Sequence, residues 1–296
     1  MPVLDVERLR AYKVPEAHDL FDPRDAILYA LGTGAGLSAD VDELDFVFER
    51  NLKPLPTMAF VMGTAGFWLM DPAVGLDWPR VLHGEQSLVL HRPLEAQEEL
   101  VGSTRIGEIA DKGPGKPAMF RAYRTLRELG GAIVAEMSEL WILREAGGFG
   151  GDRNLPGSDR MVMPDGPPAF SLDLPTSRQQ ALVYRLSGDR NPLHVSPETA
   201  RLGGFDQPIL HGLSTLGLVA RALIHLHCKG DPQRLSAIAA RFTAPVFPGE
   251  TVRTQSWREG DRIVFRAIAL ERDTIVIDGG TASIDRFADQ QTGEIA

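Results

Sequence analysis

The amino-acid sequence predicts an α+β protein built from two repeats, each with a long helix wrapped by a curved antiparallel sheet. Two observations support this prediction. The two halves of the chain share a weak internal repeat, and each half combines an apolar helical stretch with four runs typical of β-strands. A duplicated unit that buries one helix against its own sheet accounts for both observations.

The internal repeat is visible as pairs of similar strings at one spacing. P-T-M-A-F begins at Pro56 and P-I-L-H-G begins at Pro208, and Pro93 and Pro245 stand at the same separation of 152 (208 minus 56, 245 minus 93). Upstream, A-I-L-Y-A-L-G-T-G at 26–34 resembles A-L-V-Y-R-L-S-G-D at 181–189. The sequence therefore indicates a duplication.

A stretch rich in Gly, Pro and Asp separates the two similar halves. It begins near 146, continues to Pro168 and shows no apolar periodicity, as expected of a connecting segment. We therefore predict three parts: a first repeat at 1–150, a linker at 151–168 and a second repeat at 169–296.

The second half contains the clearer helix. Its apolar residues recur at spacings of three and four, which is typical of a helix buried on one side, while Arg221 and His225 lie off the apolar stripe. The stripe consists of Leu213, Leu216, Ala220, Leu223 and Ile224. A corresponding first-half helix is predicted near Met58 to Met70.

Each half also contains runs rich in β-branched and aromatic residues, separated by turn-forming Gly, Pro and charged residues. These runs predict antiparallel strands at Gln86–Leu90, Glu99–Ile109, Ala118–Leu126, Ala132–Leu143, Ser236–Phe242, Thr251–Trp257, Arg262–Leu270 and Thr274–Ile284.

Composition and charge narrow the classes of function. The 296-residue chain is 43% hydrophobic, enough to bury a substantial core. Its net charge of -9 argues against a nucleic-acid partner, because duplex binding needs a basic face. The first ten residues include the charged Asp5, Glu7, Arg8 and Arg10 and lack the apolar core of a signal peptide. The apolar stretch Leu213–Leu226 is too short to span a bilayer, which needs roughly 20 apolar residues. We expect no membrane partner.

The chain has a single cysteine, Cys228, so it cannot form an internal disulfide. This suits a reducing compartment, and we expect a cytoplasmic protein.

The densest group of polar residues lies between Tyr184 and Ala200. Gly188, Asp189, Asn191 and Pro192 are incompatible with a regular helix or a central strand, so this segment is predicted to be a shaped loop. Asp189 and His194 are five residues apart across that loop, and their side chains can converge on one small volume. Such a pair is what general acid and base catalysis requires.

A simpler interpretation is that Asp189 and Asn191 cap a turn through their own backbone and that His194 is an ordinary half-buried side chain. The start of the second-half helix at His211 and Gly212 weighs against it. Backbone N–H groups at a helix N-terminus bind developing negative charge, so this helix start, 22 residues after Asp189 (211 minus 189), can supply an oxyanion donor to the acid/base pair.

The segment Tyr184–Ala200 resembles the signature of the type 2 enoyl-CoA hydratases, also called MaoC-like dehydratases. R-D-A-I-L-Y-A-L-G-T-G-A at 24–35, L-H-G-E-Q at 82–86 and G-G-F-G-G at 147–151 resemble the two-domain, eukaryotic-type members, similar to the hydratase part of peroxisomal multifunctional enzymes. The resemblance implies a double hot-dog fold over essentially the whole chain, with catalysis in the second half and the acyl tail accommodated by the first.

Carried over by position, the resemblance makes Asp189 and His194 the pair that holds the catalytic water. It implies that Asn191 orders the loop, that the Gly212 N–H polarises the thioester carbonyl, and that Asn191 and His211 lie at the substrate. It also implies reversible hydration of trans-2-enoyl-CoA to (3R)-3-hydroxyacyl-CoA. In the repeat, Asp189, His211 and Gly212 face Gly34, Ala59 and Phe60, so one active site per chain is expected.

Several other features have less specific interpretations. L-G-T-G-A-G-L at 31–37 has the wrong glycine spacing for a dinucleotide-binding loop. His225 and His227 lie on different faces of a helix, so no metal site is predicted. His83 and Glu85 are assigned a structural or domain-interface role. Phe60, Met62, Phe67, Trp68 and Met70 belong either to the core or to the lining of an acyl tunnel.

Some alternatives stay open at this stage. A hot-dog acyl thioesterase and a non-catalytic acyl-thioester binding subunit are the rivals to the hydratase. The residues alone do not decide whether Asp189 or His194 is the base, because each pKa depends on the other group. No cofactor is expected beyond coenzyme A as part of the substrate, and both a monomer and a homodimer are compatible with two hot-dog units in one chain.

Overall fold

The computed structural model describes residues 3–157 and 161–284, in which the strands form one antiparallel sheet of ten. The strands are β1 (Ala17–Phe21), β2 (Val81–Leu90), β3 (Glu98–Asp111), β4 (Ala118–Glu128), β5 (Ile133–Leu143), β6 (Phe170–Pro175), β7 (Leu235–Phe242), β8 (Thr251–Glu259), β9 (Arg262–Ala269) and β10 (Thr274–Ile284). All eight predicted strands are present; β2 begins five residues before the predicted Gln86, and the other ends differ by one or two residues at most.

The strand order shows how the two halves join. It runs β1-β3-β4-β5-β2-β7-β10-β9-β8-β6, so each half contributes five adjacent strands. The halves meet where β2 pairs with β7, from Glu85 opposite Arg241 to Val89 opposite Ala237. The sheet is therefore continuous across the repeat.

Six helices accompany this sheet in the described residues: α1 (Val6–Ala11), α2 (Pro23–Gly32), α3 (Leu44–Val47), α4 (Gln180–Tyr184), α5 (Pro197–Leu202) and α6 (Gly212–Cys228). None of them is long and apolar enough to cross a membrane. The two helices α2 and α4 occupy equivalent places in the repeats and pack on each other, with the rings of Tyr29 and Tyr184 5.8 Å apart.

The long helix α6 lies at the centre of the molecule. It packs against β6, β7, β8 and β10 of its own half and against a 3-10 segment, Pro56–Val61, of the other half. Every residue from Ser214 to Ile224 is buried. The prediction that this helix is buried on one side only is therefore wrong, because the first half covers the face that a single repeat would leave exposed.

Arg221 lies on the face of α6 that the first half covers. The guanidinium is 0% exposed, although Arg221 lies off the apolar stripe, and it meets Glu43 of the first half through Nε at 2.7 Å and Nη2 at 2.6 Å. Its Nη1 donates to the carbonyl of Thr33 at 2.6 Å. A buried charge needs such partners, and here they come from the other repeat.

The long first-half helix predicted near Met58–Met70 does not form. Two short 3-10 turns, Pro56–Val61 and Trp68–Met70, stand in its place. Gly63 and Gly66 between them have φ of +56° and +68°, a conformation that ends a helix. Gly63 also approaches the backbone of Gly102 so closely that a side chain at either position would clash. Most apolar residues of this segment pack in the core without forming an α-helix, whereas Met70 is exposed.

Candidate active site

The loop between α4 and α5 is shaped by its own side chains. Gly188 adopts a φ of +128° and turns the chain out of a 3-10 turn at Arg185–Ser187. Asp189 Oδ1 then accepts a hydrogen bond from the backbone N–H of Asn191 at 3.1 Å. Asn191 Oδ1 accepts one from the N–H of Leu193 at 3.0 Å and caps the next 3-10 turn, Pro192–His194. Turn capping is therefore present, and it fixes where Asp189 and His194 point.

The structure brings Asp189, His194 and His211 together. A carboxylate oxygen and one nitrogen of each ring all lie within 4.8 Å of one another. The two imidazole rings stack with their centroids 3.7 Å apart, and both are nearly inaccessible to solvent. His211 Nε2 contacts the backbone carbonyl of Asp189 at 3.2 Å, which ties the loop to the start of α6.

Backbone carbonyls determine the proton positions on both rings. His194 Nδ1 lies 2.9 Å from the carbonyl oxygen of Ile209, and since a carbonyl only accepts, Nδ1 carries the proton. In neutral His194 the other nitrogen, Nε2, therefore has a free lone pair. The same argument places the proton of His211 on Nε2.

Burial keeps both imidazoles neutral. It lowers the pKa of His194 below the ordinary 6.5, although the charge of Asp189 and the bond to Ile209 act in the opposite direction. Burial lowers the pKa of His211 well below 6.5, and the neighbouring His194 lowers it further. The site therefore contains a neutral imidazole, His194, able to accept a proton beside a carboxylate.

The N-terminus of α6 lies beside this pair. His211 is the N-cap residue, and no side chain caps the first turn, so its backbone N–H groups remain available as donors. Gly212 lines the same cavity as Asp189 and His194. A methyl group at Gly212 would lie only 3.3 Å from the ring of Phe242, so the space above this amide is narrow.

The cavity in front of these groups has a volume of about 230 Å³. Asp189, Asn191, His194 and Gly212 all line it, whereas His211 is not among the lining residues and lies behind His194. Much of the remaining wall is apolar, including Leu210, Leu213, Phe242, Val246 and Val276. This is the composition expected of a pocket that binds a mostly apolar small molecule with a few polar contacts.

Most of the lining residues were not predicted as site residues. Trp141 and Phe242 lie in ordinary strand patterns, and Arg144 follows β5, so nothing in the sequence distinguished them. His83 had a signal, the string H-G-E-Q, but was assigned a structural role. Its ring stacks on Trp141 and packs edge-on against Phe242, with ring centroids 4.5 and 5.1 Å apart. It also lines the cavity. Burial lowers its pKa, so it is neutral.

Glu85, the partner residue in that string, lies at the junction of the halves as predicted. Its Oε1 accepts two hydrogen bonds from Arg241 of β7, at 2.7 and 3.0 Å, and its Oε2 accepts one from Arg121 at 3.3 Å. The two bonds from Arg241 cross the pairing of β2 with β7 and connect the two repeats.

A second cavity, of about 60 Å³, adjoins the first. The two share lining residues Phe67, His83, Trp141, Asp189 and Leu213. Of the first-half residues considered for an acyl tunnel, Phe60, Phe67 and Trp68 line this second cavity, while Met62 and Met70 do not. The first half therefore supplies much of the wall beyond Asp189.

The cluster of Asp189, His194 and His211 offers three potential metal ligands, but its geometry suits a metal poorly. One nitrogen of each ring engages a backbone carbonyl, so each ring has only one nitrogen left as a ligand. The rings are stacked with an interplanar angle of 29°, so the lone pairs of the remaining nitrogens do not converge as tetrahedral coordination requires. His225 and His227 bond to Glu43 and Ser256 respectively.

Comparison with known proteins matches each half of the chain to a family domain. Residues 160–279 match the MaoC like domain, and residues 20–143 match the MFE-2 hydratase 2 N-terminal domain. The chain is similar to peroxisomal enoyl-CoA hydratase 2 of Arabidopsis thaliana, with 39% identity over 92% of this chain and 93% of that protein. It is 42% identical to 3-hydroxyacyl-thioester dehydratase Y of Mycobacterium tuberculosis, over 87% of this chain and 90% of the other.

Solved structures of other proteins have the same fold as this chain. The crystal structure of a MaoC-like dehydratase from Phytophthora capsici matches with a TM-score of 0.80 and 33% identity, over 95% of this chain and 99% of that one. A Mycobacterium tuberculosis protein with a double hotdog fold matches at a TM-score of 0.54 and 16% identity, over 92% and 96% of the chains, which supports the fold alone.

The fold is thus a double hot-dog, as the sequence resemblance implied. The chain belongs to the MaoC-like dehydratase family, among its two-domain hydratase 2 members.

Proposed function

We propose that this protein reversibly hydrates trans-2-enoyl-CoA to (3R)-3-hydroxyacyl-CoA. The observation that supports the proposal most strongly is the meeting of Asp189 and neutral His194 at the wall of an apolar cavity, beside the uncapped N-terminus of α6. Hydration of a conjugated thioester needs groups that handle the protons of a water molecule and one donor for the oxyanion. This site contains those groups.

In the proposed mechanism, the water molecule lies between the Asp189 carboxylate and Nε2 of His194. Both groups are acceptors, since the proton of His194 is on Nδ1, held by the carbonyl of Ile209. His194 takes a proton from the water as its oxygen adds to C3 of the substrate. The imidazolium then gives that proton to C2, so one water supplies both the hydroxyl and the hydrogen. Asp189 orients the water and stabilises the imidazolium.

The Gly212 N–H is assigned to the thioester carbonyl. As water adds, negative charge moves to that oxygen, and an amide in the first turn of a 17-residue helix is oriented to stabilise it. His211 acts as a positioning residue in this scheme, because it binds the backbone of Asp189 and stacks on His194 without lining the cavity. Asn191 orders the loop and lies at the substrate.

The two repeats divide the work in this proposal. The repeat at 169–296 carries the reacting groups, the segment 151–168 is the linker, and the repeat at 1–150 is non-catalytic and accommodates the acyl tail. Phe60, Phe67 and Trp68 support this division because they line the cavity beyond Asp189. The reaction needs no cofactor apart from the coenzyme A that the substrate carries.

The direct test is a hydration assay. Purified protein should lower the absorbance of the conjugated enoyl thioester with crotonyl-CoA or with longer trans-2-enoyl-CoA substrates, and chiral analysis should find the (3R) product. Release of free thiol without loss of the double bond would indicate a thioesterase instead. Binding of acyl-CoA without either reaction would indicate a non-catalytic subunit, and both results would contradict the proposal.

The location and assembly of the protein are further parts of the proposal. A single buried cysteine, Cys228, suits a reducing compartment, and we propose the cytoplasm. We also propose a homodimer of these two-repeat chains. Microscopy of a tagged full chain and sedimentation of the purified protein test these two statements, which a peroxisomal signal or a monomer would contradict.

A further inference from the structure

An arginine occupies a core-facing position next to the reaction site. On β4 the buried positions alternate as Ala118, Phe120, Ala122, Arg124 and Leu126, so Arg124 lies in a row that is otherwise apolar. The side chain is 4% exposed and lines the smaller cavity, which also borders Asp189. An apolar residue would fill this position without the cost of burying a charge.

Within the described residues, the partners of Arg124 use only one of its nitrogens. Nη2 donates to the carbonyl of Phe60 at 2.7 Å, contacts Met137 Sδ at 3.5 Å and lies 3.5 Å from the carboxylate of Glu139. Nε is buried and has no hydrogen-bond partner. Nη1 also makes no hydrogen bond within the described residues. A guanidinium has five N–H donors, and an unsatisfied buried one is costly. The site therefore has spare donor capacity at the cavity wall.

Glu139 lies on the same wall and has the opposite charge. It is on β5, two residues from the position that pairs with Arg124, and its side chain is 12% exposed. Thr104, opposite Arg124 on β3, adds a hydroxyl to the lining. A cavity of about 60 Å³ holds only a few non-hydrogen groups, so whatever enters it contacts these polar side chains.

This charge pattern discriminates between ligand groups. A plain alkyl chain would leave the donors of Arg124 unsatisfied, and a carboxylate would be repelled by Glu139. A hydroxyl group can accept from the guanidinium and donate to the carboxylate at the same time. It satisfies both residues without adding charge to a site in which the two charges already offset each other.

We propose that Arg124 and Glu139 recognise a hydroxyl group on the acyl tail, so that the preferred substrates are 2-enoyl thioesters with a hydroxylated tail. This inference rests on the proposed hydratase function, since it assigns the cavity beyond Asp189 to the acyl group.

The test compares matched trans-2-enoyl-CoA pairs, plain and ω-hydroxylated, over a series of short to medium chain lengths. At the best length, kcat/KM should be about tenfold or more higher for the hydroxylated member, the size expected for hydrogen bonds to charged groups. An ω-carboxylated series serves as a further comparison. Equal rates at every length, preference for the plain chain, or preference for the carboxylated chain would overturn the inference.

The double variant Arg124→Met with Glu139→Met removes both charges together and leaves neither one buried alone. It should reverse the preference in favour of the plain chain. The control is Arg127→Met on the same strand, whose side chain bonds to Gly131 outside the cavity and whose loss should leave the preference intact. Retention of the hydroxyl preference in the double variant would refute the assignment to these residues.

Calorimetric binding of the saturated acyl-CoA pair separates this inference from the proposed reaction. Hydroxyl preference in binding without turnover of any enoyl thioester would contradict the hydratase proposal and support the role of Arg124 and Glu139. Turnover without a hydroxyl preference in binding would do the reverse.

Discussion

The ion pair between Arg221 and Glu43 gives a quantitative test of how the repeats are held together. Arg221 makes three hydrogen bonds of 2.6–2.7 Å from a fully buried position. Burial raises the pKa of Glu43, but hydrogen bonds from His225 and Arg221 outweigh it and lower that pKa to about 2. Glu43 is therefore ionised, and Arg221→Met leaves its charge buried without its main partner.

Breaking one partner of a buried pair costs about 3–5 kcal/mol. For a chain of this size each kcal/mol corresponds to roughly 2–4 °C in Tm, so Arg221→Met should lower Tm by about 6–20 °C in a thermal melt. The double variant Glu43→Gln with Arg221→Met removes both charges and should recover much of the loss.

An exposed pair in the same protein is the matched control. Arg253 binds Asp173 through two hydrogen bonds of 2.7 Å, but the side chains are 41% and 38% exposed. Arg253→Met should cost at most about 1 kcal/mol. The reasoning would be refuted if Arg221→Met melted within a few degrees of the wild type, or if the two arginine variants lost equal stability.

Three further predictions concern catalysis. Burial holds the pKa of His194 below 6.5, and the neutral imidazole is the base, so kcat/KM should fall as the pH drops through that pKa. A pH–rate profile in which this acid-side fall is centred above pH 6.5 would contradict the assignment. Gly212→Ala should lower kcat/KM about tenfold or more with little change in Tm, because the added methyl group would project beside the oxyanion donor, near Phe242. An unchanged rate would argue against the Gly212 N–H as that donor. His211→Phe should keep the stacking on His194 but lose the bond to the Asp189 carbonyl, so kcat should fall about tenfold with a smaller change in KM. A variant that changes only Tm would indicate a purely structural role for His211.

The sequence predicted the parts of the fold that depend on local patterns. The strands follow from runs rich in β-branched and aromatic residues between turn-forming residues, and the start of α6 follows from its apolar stripe. The prediction of a first-half helix was wrong because it used only the spacing of apolar residues. Gly63 and Gly66 interrupt that segment with a positive φ, which ends a helix. The burial of Arg221 was missed because its partner, Glu43, is 178 residues away in sequence.

The candidate site was predictable for a similar reason. Asp189, Asn191 and His194 share one short loop, so their types and spacing were visible together. Trp141, Phe242 and Arg124 reach the cavities from separate strands, and each fits an ordinary strand pattern. Only the pairing of the strands across both repeats brings them to the same place.

The most direct test of the central claim is the rate of enoyl-CoA hydration by Asp189→Asn, His194→Ala and the double variant, each shown to be folded by its melting curve. If the two side chains act on one water molecule, each single variant should be slower by about 10²-fold or more, and the double variant should be hardly slower than the worse single one. A folded single variant that hydrates substrate at the wild-type rate would contradict the account.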